Sequence, residues 1–323
     1  VQTTFGTALA QSLLTRAVNA VVEVSEDLNV RDFRTCDRNY LLSRRTTSRY
    51  IRIRLTMDGN PHDMAGFTGM AMGNTAAATG TDPKTFAFTP LGPSQMAPPV
   101  TTIMLAHENG ADSSEARIIR DFAIDSVEGE ATAGQDSSWR FTVEGFANGD
   151  WDLGDGTDLP ECSSFVPVML QDGLVTINAT QYLSTTKRAR FFFRNGILTG
   201  DAAFTGSSVD VTRWIRNVER EWGIDVDIVG YLTDGSALAT DMLANDRAGT
   251  LRSASLRIGA AGNAFTVSAA SAYVSPRDSG QGYAGQAREA VLLVDIRPQG
   301  TTALAGSATL PAADQTVDFL VPS

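Results

Sequence analysis

The sequence predicts a mainly β protein arranged as two successive β domains, with one or two short helices and extended segments at its ends. Three observations point there. Twenty-nine glycines stand among many threonines, serines and alanines, a composition that favours turn-rich sheet over helical bundle. Along most of the chain, short segments alternate apolar and polar residues with the period of a half-buried strand. Near the middle, "ANGDWDLGDGTDLPE" interrupts that pattern with five acidic residues, no base and repeated glycine. An apolar share of 42% and a charged share of 20% belong to an ordered globular chain, and 323 residues suit one large domain or two ordinary ones.

In chain order, Thr7 to Val22 places leucines at approximate helical spacing but ends in the β-branched "VVEV", which leaves a short helix and an extended arm both open. From Arg31 to Arg54 eight arginines face only Asp32 and Asp37, the strongest charge asymmetry in the chain. Within it "YIRIRL" alternates like a strand with one charged face. The glycines at 66, 69 and 73 read as turns, since they make neither a dinucleotide fingerprint nor a phosphate loop. "TFAFTP" and "VTTIML" read as strands around a proline-rich loop. Next comes a hairpin, "RIIRDFAIDSVEGEATAGQDSSWRFTVEGFANG". Val127 is out of phase with Phe122 and Ile124, which predicts a bulge near Asp125 and Ser126, and Trp139, Phe141 and Val143 share the core face. The acidic residues Asp121, Asp125, Glu128, Glu130 and Glu144 are left for solvent or a neighbouring molecule.

Beyond the acidic stretch, "FVPVML", "LVTINA", "RARFFF", "VDVTRWIRNVE", "IDVDIVGYL", "SASLRI", "AFTVSAASAYV" and "AVLLVDI" read as strands, and "ALATDMLAND" at 237–246 as one short helix. "TVDFLV" is a last strand in an otherwise loose tail. The expected organisation is an arm at 1–30, a first domain at 31–149, an acidic linker at 150–161, a second domain at 162–299 and a tail at 300–323. Both domains open on β-branched strands and close on an alternating one, a hint of duplication.

Chemistry is sparsely signalled. His62 and His107, the only two histidines, sit in loop-like contexts without a nucleophile motif and read as surface or turn residues. Cys36 and Cys162 lie far apart, outside metal-ligand spacing, and read as buried free thiols. In "DWDLGDGTD" the order of an EF-hand fails, because glycine falls on a ligand position and Asp155 on the invariant glycine, so a solvated linker is expected. Paired carboxylates for glycoside hydrolysis have no local signature, and those in "IDVDI" and "TVEG" read as solvated strand faces. The expectation is a protein that is no enzyme and carries no cofactor or metal. The formal net charge of −11 sets the whole chain against gripping polyanions. No segment has the apolar length of a membrane helix, and the start lacks the features of a secretory signal, so synthesis and retention in a cytoplasm are expected.

The order "TTFGTA", "YIRIRLTMDGNPHDMAGFTGMAMGN", "FAFTPLGPSQMAPPVTTIML", "RDFAIDSVEGEATAGQDSSWRFTVEGFANG" and, later, "FFFRNGILTGDAAFTGSSVDVTRWIRNVEREWGIDVDI" resembles the tail tube (major tail) proteins of long-tailed bacteriophages. The resemblance covers most of residues 2 to about 298 and rests on the order of short patterns; the basic run and the low-complexity tail depart from it. It implies two tandem β-sandwich or barrel-like tube domains, trimeric rings with pseudo-six-fold symmetry stacked around a channel, other tail proteins at the tube ends, and DNA as passing cargo only. The implied location is the virion tail. Opposite charge adds one expectation, that Arg44, Arg45 and Arg49 meet Asp150, Asp152, Asp155 and Asp158 across subunit boundaries. Two other readings are a β-sandwich adhesin or carbohydrate-binding module, which calls for aromatic residues exposed on loops, and a carbohydrate-active enzyme, which has only the carboxylates in its favour.

Overall fold

A computed structural model describes residues 18–34, 41–76, 78–105, 116–134, 136–148, 151–154, 167–182, 186–199, 203–204, 211–217, 220–229, 244–278, 291–300 and 304–311. The first half contributes β1 (Val18–Arg34), β2 (Leu41–Asp58), α1 (Pro61–Met72), β3 (Gly73–Thr75), β4 (Lys84–Pro90), β5 (Thr101–Leu105), β6 (Ala116–Thr132), β7 (Arg140–Asn148) and β8 (Trp151–Gly154). The second contributes β9 (Leu174–Ile177), β10 (Thr180–Gln181), β11 (Thr186–Arg194), β12 (Ala203–Phe204), β13 (Val211–Arg213), β14 (Glu221–Val229), β15 (Arg252–Ala260), β16 (Asn263–Asp278), β17 (Val291–Pro298) and β18 (Leu304–Leu310). The protein is mainly β, and among the described residues sixteen strands join in one antiparallel sheet, with β12 and β13 paired separately.

Strand order within that sheet is repetitive. Its central path runs β1-β2-β7-β6, then β11-β14-β17-β16, and from the first part of β16 the order continues through β15-β9-β10. In both quartets the first two strands in chain order are neighbours, and the last two follow in reversed order. The quartets join where β6 pairs antiparallel with β11. In both, the fourth strand on the path is long and changes partners midway. The start of β6 pairs with β5 and β8 and its end with β7 and β11. Residues 264–269 of β16 pair with β15 and β18, and residues 272–278 with β17. The hairpin of β6 and β7 has its register shift between Ile124 and Ser126, where the phase change in the sequence puts it.

The change of partners along β16 brings part of the sheet back over the central path, and aromatic rings fill the space between. Phe265 on β16 lies 5.2 Å from Phe191 on β11 and 6.1 Å from Phe88 on β4, and Phe191 lies 6.2 Å from Phe141 on β7. All four rings are at most 1% exposed. Helix α1 packs beside them, its Phe67 6.2 Å from Phe141. One apolar core therefore draws on both halves of the chain, and strand pairing joins them at β6 with β11 and at β4 with β18. Gly129 on β6 sits opposite Phe191, and a β-carbon there would lie 2.2 Å from the ring's Cε1. Gly129→Ala is expected to cost about 1–3 kcal/mol by overpacking, read as a lower urea midpoint at unchanged slope.

Several expectations need correction. Gly66 and Gly69 lie inside α1, and only Gly73 turns the chain, as the left-handed cap with φ of +85°. Asn60 starts this helix by accepting the Asp63 backbone N–H at 2.8 Å, with Pro61 following. His62 is a buried helical residue, 2% exposed and 3.1 Å from Asp63, instead of a surface histidine. Residues 18–22 are strand. "FVPVML" ends in a 3-10 turn at Leu170–Asp172, and the described part of "VDVTRWIRNVE" holds the short β13 and then an isolated bridge at Arg216. The tail supplies β18, whose alternate residues are buried, while "TVDFLV" lies outside the described residues. Residues 244–248 are helical; they overlap the predicted 237–246 only at 244–246 and run two residues past it, while 237–243 lie outside the described residues.

Candidate functional site: the charged face and free edges of the sheet

Strand alternation sends Phe141, Val143, Phe191, Phe193, Ile224, Val226, Val294 and Ile296 into the core, so the residues between them form the opposite face. That face is a ladder of opposite charges running across the strands. Arg52 and Arg54 on β2 reach Glu144 on β7 at 3.2 and 3.1 Å. Arg188 on β11 reaches Glu130 on β6 at 2.6 Å. Arg190 grips Glu128 with two parallel bonds, Nε to Oε1 at 2.7 Å and Nη2 to Oε2 at 2.8 Å, and contacts Asp225 on β14 at 3.3 Å. Asp225 also receives Arg297 of β17 at 2.6 Å, and Arg194 pairs with Glu221 at 2.8 Å. Hydrogen bonding to Glu130 and to Glu128 holds the Arg188 and Arg190 guanidiniums above their ordinary values. Phe192 lies on this face under three guanidiniums, those of Arg190, Arg297 and Arg194, at 5.0, 5.1 and 5.4 Å from its centroid.

The acidic residues that the sequence left for solvent or a neighbour are thus largely committed within the chain. Glu128, Glu130 and Glu144 pair with arginines of adjacent strands. Asp121, fully buried at φ of +58°, marks the place where β6 changes partners, and its carbonyl accepts the Trp214 Nε1–H at 2.7 Å. Asp125 sits in the bulge, where its Oδ1 accepts the Ile197 N–H at 2.6 Å and its carbonyl the Asn195 N–H at 2.6 Å. Burial raises the Asp125 carboxyl above its ordinary value, with the Ile197 hydrogen bond opposing the shift. A raised acid binds its proton more tightly folded than unfolded, so its contribution to stability falls as pH climbs through the interval from the ordinary value to the raised one. Asp125→Asn keeps an acceptor for Ile197 without the charge. Its melting temperature is expected to match or exceed that of the wild type at pH 7, and the advantage to vanish in thermal melts below about pH 3.5.

Arg49 pairs with Glu26 of the adjacent β1, within its own chain. Arg44 and Arg45 lie on β2 opposite Asp32 and Arg31, where the backbone is described and the side chains are not. Asp152 lies on β8 opposite Ile118, also with its side chain undescribed. Asp150, Asp155 and Asp158 lie outside the described residues, as do His107, Cys36 and Cys162. Among the described residues no cluster of three or more potential metal ligands occurs, and no helix is long and apolar enough to cross a membrane. Trp139, Trp214 and Trp222 are buried.

Sequence reasoning did not find the ladder. Its signal was the regular spacing of charge in "KRARFFFR" and "IDVDI", but which strands lie side by side is decided by topology. The central path has two ends, and exposed apolar side chains gather there. On β1 Val21, Val22 and Val24 are 58%, 41% and 43% exposed, and on β16 Tyr273 is 42% exposed. Among the described residues β1 pairs only with β2, and residues 273–278 of β16 only with β17. Among the described residues both are therefore free edges, whose outer backbone groups are open to another strand. No protein-family model matches this chain, and no curated protein resembles it at a significant level.

Proposed function

We propose that the chain is a structural protein of a bacteriophage tail, whose copies close into rings and stack into the hollow tube through which DNA passes. The observation that carries this reading is the repeated strand order. Each quartet is one tube domain, so the chain holds two β-sandwich-like domains in tandem. The contact between them, β6 to β11, is an antiparallel edge pairing made inside one chain. The same contact repeated between chains joins β16 of one copy to β1 of the next. With four strands per quartet, the directions alternate without interruption around the ring. Three chains then present six quartets, and a closed ring leaves no free edge on the central path.

The charged face becomes the channel wall, because the other face is covered by the core. A wall whose arginines are matched by neighbouring carboxylates gives a passing polyanion few uncompensated positive charges to bind, and the net charge of −11 opposes binding further. DNA is cargo in this reading; the partners are further copies of the chain and the tail proteins at the tube ends, and the place of action is the virion tail. Negative-stain electron microscopy of the concentrated protein tests it. Rings or hollow tubes with a six-fold end view are the expected result; discrete particles that stay monomeric at high concentration count against self-assembly and hence against this function.

A further inference from the structure

Away from the ladder, two arginines are held together with no acid paired to either among the described residues. Arg216 is the only buried arginine among the described residues, 2% exposed. Its Nε donates to the Gln95 carbonyl at 2.5 Å, its Nη2 to the Gly92 carbonyl at 2.6 Å, and its backbone N–H to the Met96 carbonyl at 3.0 Å. Arg220 donates through Nη2 to the Leu91 carbonyl. Both guanidiniums are therefore fastened to one turn, 91–96, which Gly92 and Gln95 close with two mutual bonds of 3.1 Å. Nε and Nη1 of Arg220 are shielded from solvent and have no hydrogen-bond partner among the described residues. The side chain as a whole keeps partial exposure, so these orphan donors lie just beneath the surface.

Among the described residues no carboxylate pairs with Arg216 or Arg220, in contrast to the arginines of the ladder. Two like charges taken out of water are costly, and carbonyl oxygens return only partial charge. Burial pushes both guanidiniums down, Arg220 to about 10, with the positive charge of Arg216 adding to its shift. Shared anchorage, the lack of a paired carboxylate among the described residues and the orphaned donors together favour a negative group as the ligand.

We propose that Arg216 and Arg220, seated on the turn at 91–96, form a binding site for an oxyanion, either a free phosphate or the carboxylate of a second copy of this chain. Guanidinium donors fit both through the same N–H to O geometry.

Thermal unfolding of the dilute full chain is followed in sodium phosphate and in sodium chloride at matched ionic strength, for the wild type, Arg220→Gln and the ladder control Arg194→Gln. Phosphate stabilises proteins generally by exclusion, so the difference between variants is the readout. A saturable rise of about 2–4 °C in the wild type and Arg194→Gln, absent in Arg220→Gln, is expected. Saturable broadening of the phosphate phosphorus-31 resonance by the wild-type protein is the second measurement, independent of any variant's folding. Sedimentation of the concentrated protein separates the two sources. Phosphate that weakens association of the wild type, but not the residual association of Arg220→Gln, assigns the site to a neighbour's carboxylate; association indifferent to phosphate assigns it to the free ion. An equal phosphate response in all three proteins, or phosphorus broadening that does not saturate, overturns the proposal.

Discussion

Phe265→Ala is expected to cost about 3–5 kcal/mol and to loosen both halves of the chain together. The ring is fully buried and touches Phe88 of the first half and Phe191 of the second, which leans on Phe141 of the first half again. Removing it opens a cavity where β4, β11 and β16 converge, and the surrounding strands cannot collapse into that space without breaking pairings at β18 and β6. Two tandem domains with separate cores would confine the damage to the second. A core that draws on both predicts that protection against hydrogen exchange at 140–148 on β7 falls in parallel with that at 263–269 on β16. Unchanged protection at 140–148 in a destabilised variant would mean that the quartets fold independently, in spite of their shared aromatic run.

Legibility in the sequence followed the burial of single faces. Strands with one buried side, such as β2, β7 and β11, carry the two-residue period openly, and even the bulge at Asp125 announced itself as a phase change. Helix α1 carried no period, because nearly all its residues are buried and no polar stripe is left to mark a face. Its ends carry signals that do not depend on amphipathicity, Asn60 and Pro61 at the start and Gly73 at the stop, but without a period between them the segment read as turns. Strand β18 was hidden for another reason. Its inward residues include Gly306 and Ala308, and Gly306 has to be small, since a β-carbon there would lie 1.9 Å from the Phe88 ring. Small inward residues erase the hydrophobic signal while keeping the strand.

The ladder and the arginine pair were unreadable because their members are distant in sequence. Arg188 and Glu130 stand 58 residues apart, and Arg216 and Gln95 stand 121 apart. Each strand shows a charge on every second position, which is also what any solvated strand face shows. Only the order of strands turns such rows into matched pairs, and that order depends on the quartets meeting at β6 and β11.

In the proposed ring, the same order makes the β1 edge the place where assembly is most vulnerable. Val22 and Val24 face across to Leu55 and Ile53, and so extend the core-side apolar stripe one strand beyond the covered core. In a monomer they gain little from that position, and Val22→Lys with Val24→Lys is expected to leave stability within about 0.5 kcal/mol. At an interface the double variant must bury two ammonium groups where the next copy's β16 would seat, a penalty of several kcal/mol per ion and the means by which natural edge strands avoid pairing. The expected result is a folded chain, with wild-type circular dichroism and urea midpoint, that sediments as a monomer at concentrations where the proposed rings of the wild type are expected, and that shows no tubes by negative stain. Tubes of normal length from the double variant would place the ring contact somewhere other than β1.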